Sequence, residues 1–190
     1  MPSALIALAA AIAATAGAPA PTAHPAPVDI DATQGLSGLP VPRFVSLKSD
    51  KAYLRTGPGD RYPVAWVYVR KGLPVEIVRE YGIWRQVRDS DGASGWMNKQ
   101  LISGSRTAIV RGGVASGPDG AANGVTAVAA VRTLFGTPDL QGRAVWRIAP
   151  GAVVRTILCD QAWCRVDSRG RSGYILRAQL WGVGATETIG

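Results

Sequence analysis

Few side chains in this sequence have the chemistry needed for catalysis. The 190-residue chain contains one histidine, His24, and two cysteines, Cys159 and Cys164. A nucleophilic cysteine or serine needs an imidazole within hydrogen-bond distance as its base, and His24 lies in a Pro/Ala-rich stretch that we interpret as a tether. No Cys/His cluster suited to zinc and no Gly-x-x-x-x-Gly-Lys-Ser/Thr phosphate loop occurs. We therefore predict no enzyme activity, no cofactor and no metal site.

The N-terminal residues have the pattern of an export signal followed by a tether. An uncharged apolar run begins at Leu5, and Ala14-Thr15-Ala16 fits the small-x-small cleavage pattern. We predict a signal peptide at 1–16 and a periplasmic or secreted protein. The alternative, an uncleaved membrane anchor, is disfavoured because the Ala-rich stretch ends at Pro19 and is short for the ~20 residues that span a bilayer. Residues 17–42 are rich in proline without hydrophobic periodicity, which predicts a disordered Pro/Ala tether.

The remainder of the chain contains two copies of one strand-rich unit. Each copy has an apolar strand, a four-residue loop that ends in tryptophan, an Asp/Gly turn and a Gly-aromatic pair. The matching segments are 72–79 and 151–158, 81–84 and 160–163, 89–92 and 167–170, and 95–96 and 173–174. A repeat of this kind indicates tandem domains, and a copy of about sixty residues buries a core most economically as a closed small β-barrel.

The repeat sets the predicted domain boundaries. We place the first domain at 43–106, a linker at 107–124, the second domain at 125–183 and a C-terminal tail at 184–190. Within the linker, Ala108-Ile109-Val110 is expected to lie against a domain.

The two cysteines occupy equivalent places to an opposite-charge pair in the first copy. Cys159 aligns with Glu80 and Cys164 with Arg85, and both pairs flank the four-residue loop, so each pair should meet across two strands. In an exported protein this placement favours a disulfide, which for so short a loop stabilises by about 2 kcal/mol. A reactive dithiol is the alternative, but no neighbouring His or Lys would lower a thiol pKa.

The first copy resembles the bacterial SH3 (SH3b) family. Tyr53-Leu54-Arg55-Thr56-Gly57-Pro58-Gly59-Asp60-Arg61-Tyr62-Pro63-Val64 is similar to the opening signature of that family, and Lys71-Gly72, Trp84 and Gly95-Trp96 fall at its later conserved places. The second copy departs at 134–138, where the Gly-Pro-Gly loop is replaced. The resemblance implies an all-β chain of two tandem SH3-like small β-barrels, of the secreted tandem-repeat proteobacterial type.

The aromatic residues suggest both packing and binding. The segment 64–69 is apolar on both alternating faces, so we predict that Trp66 and Tyr68 pack against the second domain. SH3-type grooves use aromatic side chains to bind extended peptides. We predict a shallow groove beside the Gly-Pro-Gly loop, and the four side chains proposed to line it are Tyr53, Arg55, Tyr62 and Trp96. A purely structural role for these aromatics is the alternative.

Charge and family resemblance together suggest a ligand class. Residues 43–106 hold twelve basic and six acidic residues, and 125–183 hold eight and three, which suits an anionic wall or an acidic partner. The family resemblance implies cell-wall peptides or extended protein segments as ligands. We predict a monomeric, non-catalytic periplasmic protein that binds peptidoglycan or an envelope protein and has no stable membrane insertion after signal removal.

Three alternative functions remain. A small barrel with arginines and aromatics could bind nucleic acid, which export would exclude. An accessory or regulatory subunit of a wall hydrolase is a second possibility. A cryptic wall hydrolase is a third, although no Cys–His centre supports it.

Overall fold

The computed structural model describes residues 35–112 and 131–190. The predicted signal peptide, His24, most of the tether and residues 113–130 lie outside the described residues. The strands of the first sheet are β1 (Arg43–Leu47), β2 (Ala52–Arg55), β3 (Val64–Tyr68), β4 (Pro74–Tyr81), β5 (Trp84–Arg88), β6 (Ser94–Asn98) and β7 (Ile102–Ser103). Those of the second are β8 (Thr107–Val110), β9 (Arg132–Phe135), β10 (Ala144–Ile148), β11 (Val153–Cys159), β12 (Trp163–Ser168), β13 (Arg171–Leu176) and β14 (Leu180–Trp181).

Both sheets have the same antiparallel topology. The first has the order β3-β2-β6-β5-β4-β1-β7 and the second the order β10-β9-β13-β12-β11-β8-β14. In each, a 3₁₀ turn precedes the last strand, at Lys99–Leu101 and Arg177–Gln179. The predicted all-β tandem repeat is confirmed, and we call the two halves the first unit and the second unit.

The barrels are rolled but not closed, which corrects the closed barrels expected from the sequence. Among the described residues the two end strands of neither sheet pair with each other. The final strands β7 and β14 are two residues long. Each sheet still encloses its own core: Tyr68 from one end of the first sheet and Ile102 near the other belong to one apolar cluster.

The cores follow from period-2 alternation along the strands. In the first unit the fully buried side chains include Leu47, Leu54, Val75, Ile77, Val87 and Met97. In the second unit they include Val110, Leu134, Val154, Val166 and Ile175. Gly95 allows β6 to approach β2, because a Cβ there would lie 2.7 Å from Leu54 Cγ, so this crossing requires glycine.

The second unit begins earlier and ends later than the sequence suggested. Thr107–Val110, the start of the predicted linker, form strand β8, which pairs with β11 and β14. At the other end Ile189, in the predicted tail, pairs with Cys159 through two backbone hydrogen bonds of 2.8 and 3.2 Å. Ala108 and Val110 are buried, so β8 supplies core side chains that the rest of the unit needs.

The two units meet along the short connection between β7 and β8. Arg106 donates from Nη1 to the Phe44 carbonyl at 2.5 Å and from Nη2 to Glu187 Oε2 at 2.7 Å. The Thr107 hydroxyl lies 2.6 Å from that of Ser46 and donates to the Gly72 carbonyl at 2.7 Å.

An aromatic pair adds apolar contact to this polar junction. The Phe44 and Trp181 rings pack edge-to-face with centroids 5.2 Å apart, an arrangement that is stabilising for aromatic pairs.

The packing of Trp66 and Tyr68 against the second unit stays a prediction; both side chains line a recess that also includes Ile109 of β8. Tyr68 is buried in the core of the first unit, and its hydroxyl donates to Asp89 Oδ2 at 2.8 Å. Burial, reinforced by that bond, raises the pKa of the Tyr68 phenol far above its usual range. Trp66 is 60% exposed because β3 is an end strand of its sheet and has only one strand neighbour.

Candidate functional site

Strand β2 places Tyr53 and Arg55 on the outer face of the first sheet. Ala52 and Leu54 are buried while Tyr53 is exposed, so the odd-numbered side chains point away from the core. Arg55 pairs directly with Trp96 across β2 and β6, and paired residues of antiparallel strands share a face. Three of the four predicted groove residues therefore lie on one face of one sheet.

The Gly-Pro-Gly loop places the fourth, Tyr62, beside them. A Cβ on Gly57 would lie 2.3 Å from the Tyr62 ring and one on Gly59 would lie 3.2 Å from it. The ring thus packs on the bare backbone of the loop, which only glycine at residue 57 permits. Arg55 Nη1 donates to the Tyr62 carbonyl at 2.7 Å, which ties the loop to β2. We call Tyr53, Arg55, Tyr62 and Trp96 the aromatic face.

The aromatic face is exposed and carries positive charge. Tyr53 is 38% and Tyr62 47% exposed. Lys51 Nζ lies 5.4 Å from the Tyr53 ring centroid, and the Arg55 guanidinium is 3.9 Å from Asp60 Oδ1, a carboxylate in solvent. The Arg55 side chain is 21% exposed and its contact with the exposed Asp60 is long and weak, so a competing carboxylate can replace Asp60 there. The arrangement suits binding of an extended chain.

The second unit builds this region differently. Phe135 pairs with Tyr174 at the place where Arg55 pairs with Trp96, and the Phe135 ring packs edge-to-face on Trp163 at 5.9 Å. The loop that follows contains Thr137-Pro138-Asp139 in place of the Gly-Pro-Gly turn. The second unit therefore lacks the cationic side chain of the aromatic face.

A buried ionic cluster fixes the neck of the β4–β5 hairpin in the first unit. The Glu80 side chain has no exposed surface, and Arg43 Nη2 and Arg85 Nε contact its Oε1 at 2.6 and 3.1 Å. Ser37 donates to the same carboxylate from its backbone and its hydroxyl. Burial raises the pKa of Glu80, but the bonds from Arg43 and Ser37 and the charge of Arg85 outweigh it and lower the pKa.

The predicted disulfide occupies the equivalent neck in the second unit. Cys159 and Cys164 pair in register and are bonded, which confirms the sequence prediction. Beside them the buried Arg177 donates to the carbonyls of Asp160, Gly184 and Glu187. These bonds hold the C-terminal residues against the hairpin, and their acceptors come from separate segments, so sequence reasoning did not find them.

A cleft of about 960 Å³ between the units was also missed from the sequence. The T-shaped pair of Phe44 and Trp181 lies in its wall together with Arg43, Arg88 and Arg111. Arg43 is bound to Glu80, and Arg88 is bound to Glu76 at 2.5 Å. Much of the positive charge at this cleft is therefore already neutralised within the chain.

The described part of the chain contains neither a metal-ligand cluster nor a free cysteine. Within residues 35–112 and 131–190 no set of His, Cys, Asp or Glu side chains is grouped to hold a metal ion. Both cysteines are in the disulfide. No helix among these residues is long and apolar enough to cross a membrane.

Comparison with known families identifies both units. The family model for the bacterial SH3 domain matches residues 48–104 and 129–182, more than half of the chain. The chain belongs to the bacterial SH3 domain family, as its motifs indicated. The two matches begin after β1 and after β8, so neither covers the first strand of its unit.

A curated relative and two solved structures show more distant likeness. The putative N-acetylmuramoyl-L-alanine amidase YrvJ of Bacillus subtilis (strain 168) is 22% identical over 129 residues, which are 68% of this chain and 24% of that protein. NlpC1 from Trichomonas vaginalis is 14% identical, with a TM-score of 0.32 over 78% of this chain and 48% of that chain. An NlpC/P60 family protein from Bacillus cereus ATCC 10987 is 11% identical, with a TM-score of 0.29 over 73% and 55%.

Proposed function

We propose that this protein is a non-catalytic cell-envelope protein and that its aromatic face binds a peptide segment of peptidoglycan. The observation that carries the proposal is the position of Tyr62, which is fixed on Gly57 and tied to Arg55 yet remains half exposed. An aromatic side chain fixed in this way loses little conformational freedom on binding, which favours a recognition role.

The peptide class follows from the chemistry of the aromatic face. Tyr53 and Tyr62 offer flat apolar surface to an extended chain, and Arg55 offers donors for a carboxylate. Wall peptides carry free carboxylates, and both units are basic. The amidase whose sequence resembles this chain carries the name of a wall-cleaving enzyme, which supports the cell wall as the setting. The absence of a second histidine and the use of both cysteines in a disulfide support a non-catalytic role.

Co-sedimentation with purified sacculi tests the proposal. Tyr53→Ala should weaken binding about 5- to 30-fold, as loss of about 1 to 2 kcal/mol implies. Tyr81→Ala is the matched control, because Tyr81 is 62% exposed at a different end of the first unit. Raised salt should weaken wild-type binding, since an exposed Arg55–carboxylate contact is screened.

Three results would contradict the proposal. Equal binding by Tyr53→Ala and wild type would show that the aromatic face is not the binding site. If wild-type protein does not sediment with sacculi, peptidoglycan is not the ligand and an envelope-protein segment is favoured. Cross-linking through Tyr53→Cys would then identify that protein. A zymogram with lysis by the pure protein would overturn the non-catalytic role. Fractionation of cells tests the expected periplasmic or secreted location.

A further inference from the structure

The β12–β13 hairpin of the second unit borders a recess. The equivalent recess of the first unit differs from it in charge. The recess of the second unit is about 360 Å³, and its lining includes Trp146, Arg147, Arg169 and Arg171. A volume of this size is within the range of small-ligand sites. Three of the arginines of the second unit therefore border one small space.

The corresponding recess of the first unit is acidic. It lies beside Trp66, which occupies the place of Trp146 because Leu54 pairs with Trp66 as Leu134 pairs with Trp146. Its hairpin contributes Asp91 and Ala93 at the places of Arg169 and Arg171, and Asp89 at the place of Asp167. The two recesses thus share a frame and differ in the sign of their charge, which general basicity of the chain does not explain.

The arginines of the second recess lack an internal counter-charge. Among the described residues, no carboxylate forms an ion pair with Arg147, Arg169 or Arg171. Asp167, at the base of the hairpin, accepts a hydrogen bond from the Gly170 backbone. Like charges placed around one recess repel each other, so an anion bound there would relieve an unfavourable arrangement.

Trp146 holds one of these guanidinium groups in place. Arg171 Cζ lies 4.0 Å from the Trp146 ring centroid, which is a favourable cation–π distance. A guanidinium carries its N–H donors around the edge of a plane, so contact with the ring leaves donors for a ligand and reduces the mobility of the side chain.

Arg169 is retained at a backbone position that disfavours it. It is the non-glycine residue with positive φ in the described chain, at 55°, and Gly170 follows at 80°. Two successive positive φ values at a two-residue hairpin turn favour Asn-Gly or Asp-Gly. An arginine in place of asparagine there costs backbone energy, and such outliers recur at functional sites.

We propose that this recess is an anion-binding pocket in which Arg147, Arg169 and Arg171 bind a carboxylate or a phosphate group. The pocket is separate from the aromatic face, which lies in the first unit, so either site can exist without the other.

NMR titration of the full chain tests the pocket. Inorganic phosphate and acetate are added separately at constant ionic strength, with chloride as the reference, and the Trp146 indole and arginine Nε–H signals are followed. Saturable shifts with either anion are expected, and the stronger anion identifies the group. The indole of Trp66, in the acidic recess, should not shift. Shifts that never saturate beyond the chloride reference, or that occur equally at Trp66, would overturn the proposal.

Two variants separate binding from folding. Arg169→Asn should weaken anion binding at least fivefold while the thermal midpoint stays the same or rises, because asparagine tolerates positive φ. Arg171→Gln should also lose binding, and Arg165→Gln, an exposed arginine on the same strand pair, is the control that should not. Undiminished binding in Arg169→Asn, or an equal loss in Arg165→Gln, would refute the assignment, as would a lower thermal midpoint in Arg169→Asn.

Discussion

Replacing Glu80 with glutamine should destabilise the first unit more than any other single change to its ion pairs. Glu80→Gln keeps the size of the side chain but removes the charge that faces Arg43 and Arg85. Because the Glu80 side chain has no exposed surface, water cannot compensate the two guanidinium groups. Removing one partner of a buried ion pair costs about 3 to 5 kcal/mol.

Glu76→Gln provides the matched control. Glu76 pairs with Arg88, whose side chain is 55% exposed, and a pair so accessible to solvent contributes about 0 to 1 kcal/mol. Both glutamates lie on β4 and both pair across the sheet with a residue of β5. Both carboxylates are shielded from solvent, with side-chain exposures of 11% for Glu76 and 0% for Glu80. The two variants therefore differ mainly in the exposure and number of the arginine partners.

Urea unfolding followed by NMR signals from each sheet measures the effect on each unit separately. With an m-value of about 1 to 3 kcal/mol/M, a loss of 3 kcal/mol lowers the midpoint of the first unit by about 1 to 3 M. The second unit should retain its own urea midpoint, except for the part of its stability that comes from contact with the first unit. If Glu80→Gln and Glu76→Gln shifted the midpoint equally, the reasoning from burial would be refuted.

Three further predictions concern pH, the disulfide and the junction. Because the folded-state pKa of Glu80 lies below its unfolded value of 4.5, its stabilisation is complete above pH 4.5 and is lost as pH falls through the folded pKa. Acid titration of wild type and Glu80→Gln should therefore show the difference between their unfolding free energies narrowing at low pH. A difference that stays constant with pH would contradict this. Reducing the Cys159–Cys164 bond should lower the stability of the second unit alone by about 2 kcal/mol, measured by thermal unfolding with and without reductant, and an equal loss in the first unit would contradict it. Arg106→Ala should increase motion between the units, measured by NMR relaxation, since Arg106 bonds to Phe44 and Glu187; unchanged joint tumbling would show that the remaining contacts suffice.

The features predicted correctly from sequence depended on alignment of the two copies. Glu80 with Arg85 and Cys159 with Cys164 were paired because each flanks the same short loop, and a hairpin sets the register of its own strands. The sequence also suggested that Tyr62 lies beside Arg55, because the Gly-Pro-Gly turn brings the chain back towards β2. That the aromatic face binds a ligand stays a prediction.

The features that the sequence did not predict all involve distant segments. Ser37 and Arg43 bond to Glu80, and Ile189 pairs with Cys159 of the disulfide. A strand pattern does not specify which remote segment contacts a given position of the sheet. Ala108-Ile109-Val110 was expected to lie against a domain, and it does, but the sequence did not show that it forms a strand of the second sheet. Trp66 was expected at the junction because apolar residues on both faces suggest burial; its side chain is 60% exposed on an end strand.

The pairing of first and last strands in each unit has a consequence for folding. β1 pairs with β7, and β8 pairs with β14, so neither sheet is complete until its whole unit is available. Local hairpins such as β4–β5 form without this closure, and contacts between distant strands are the slow step. Only three residues, 104–106, join β7 to β8. The strand that completes the first sheet is therefore followed almost at once in the chain by the first strand of the second sheet. We therefore expect a chain that ends before Ile102 to leave one edge of β1 unpaired, and such edges promote aggregation.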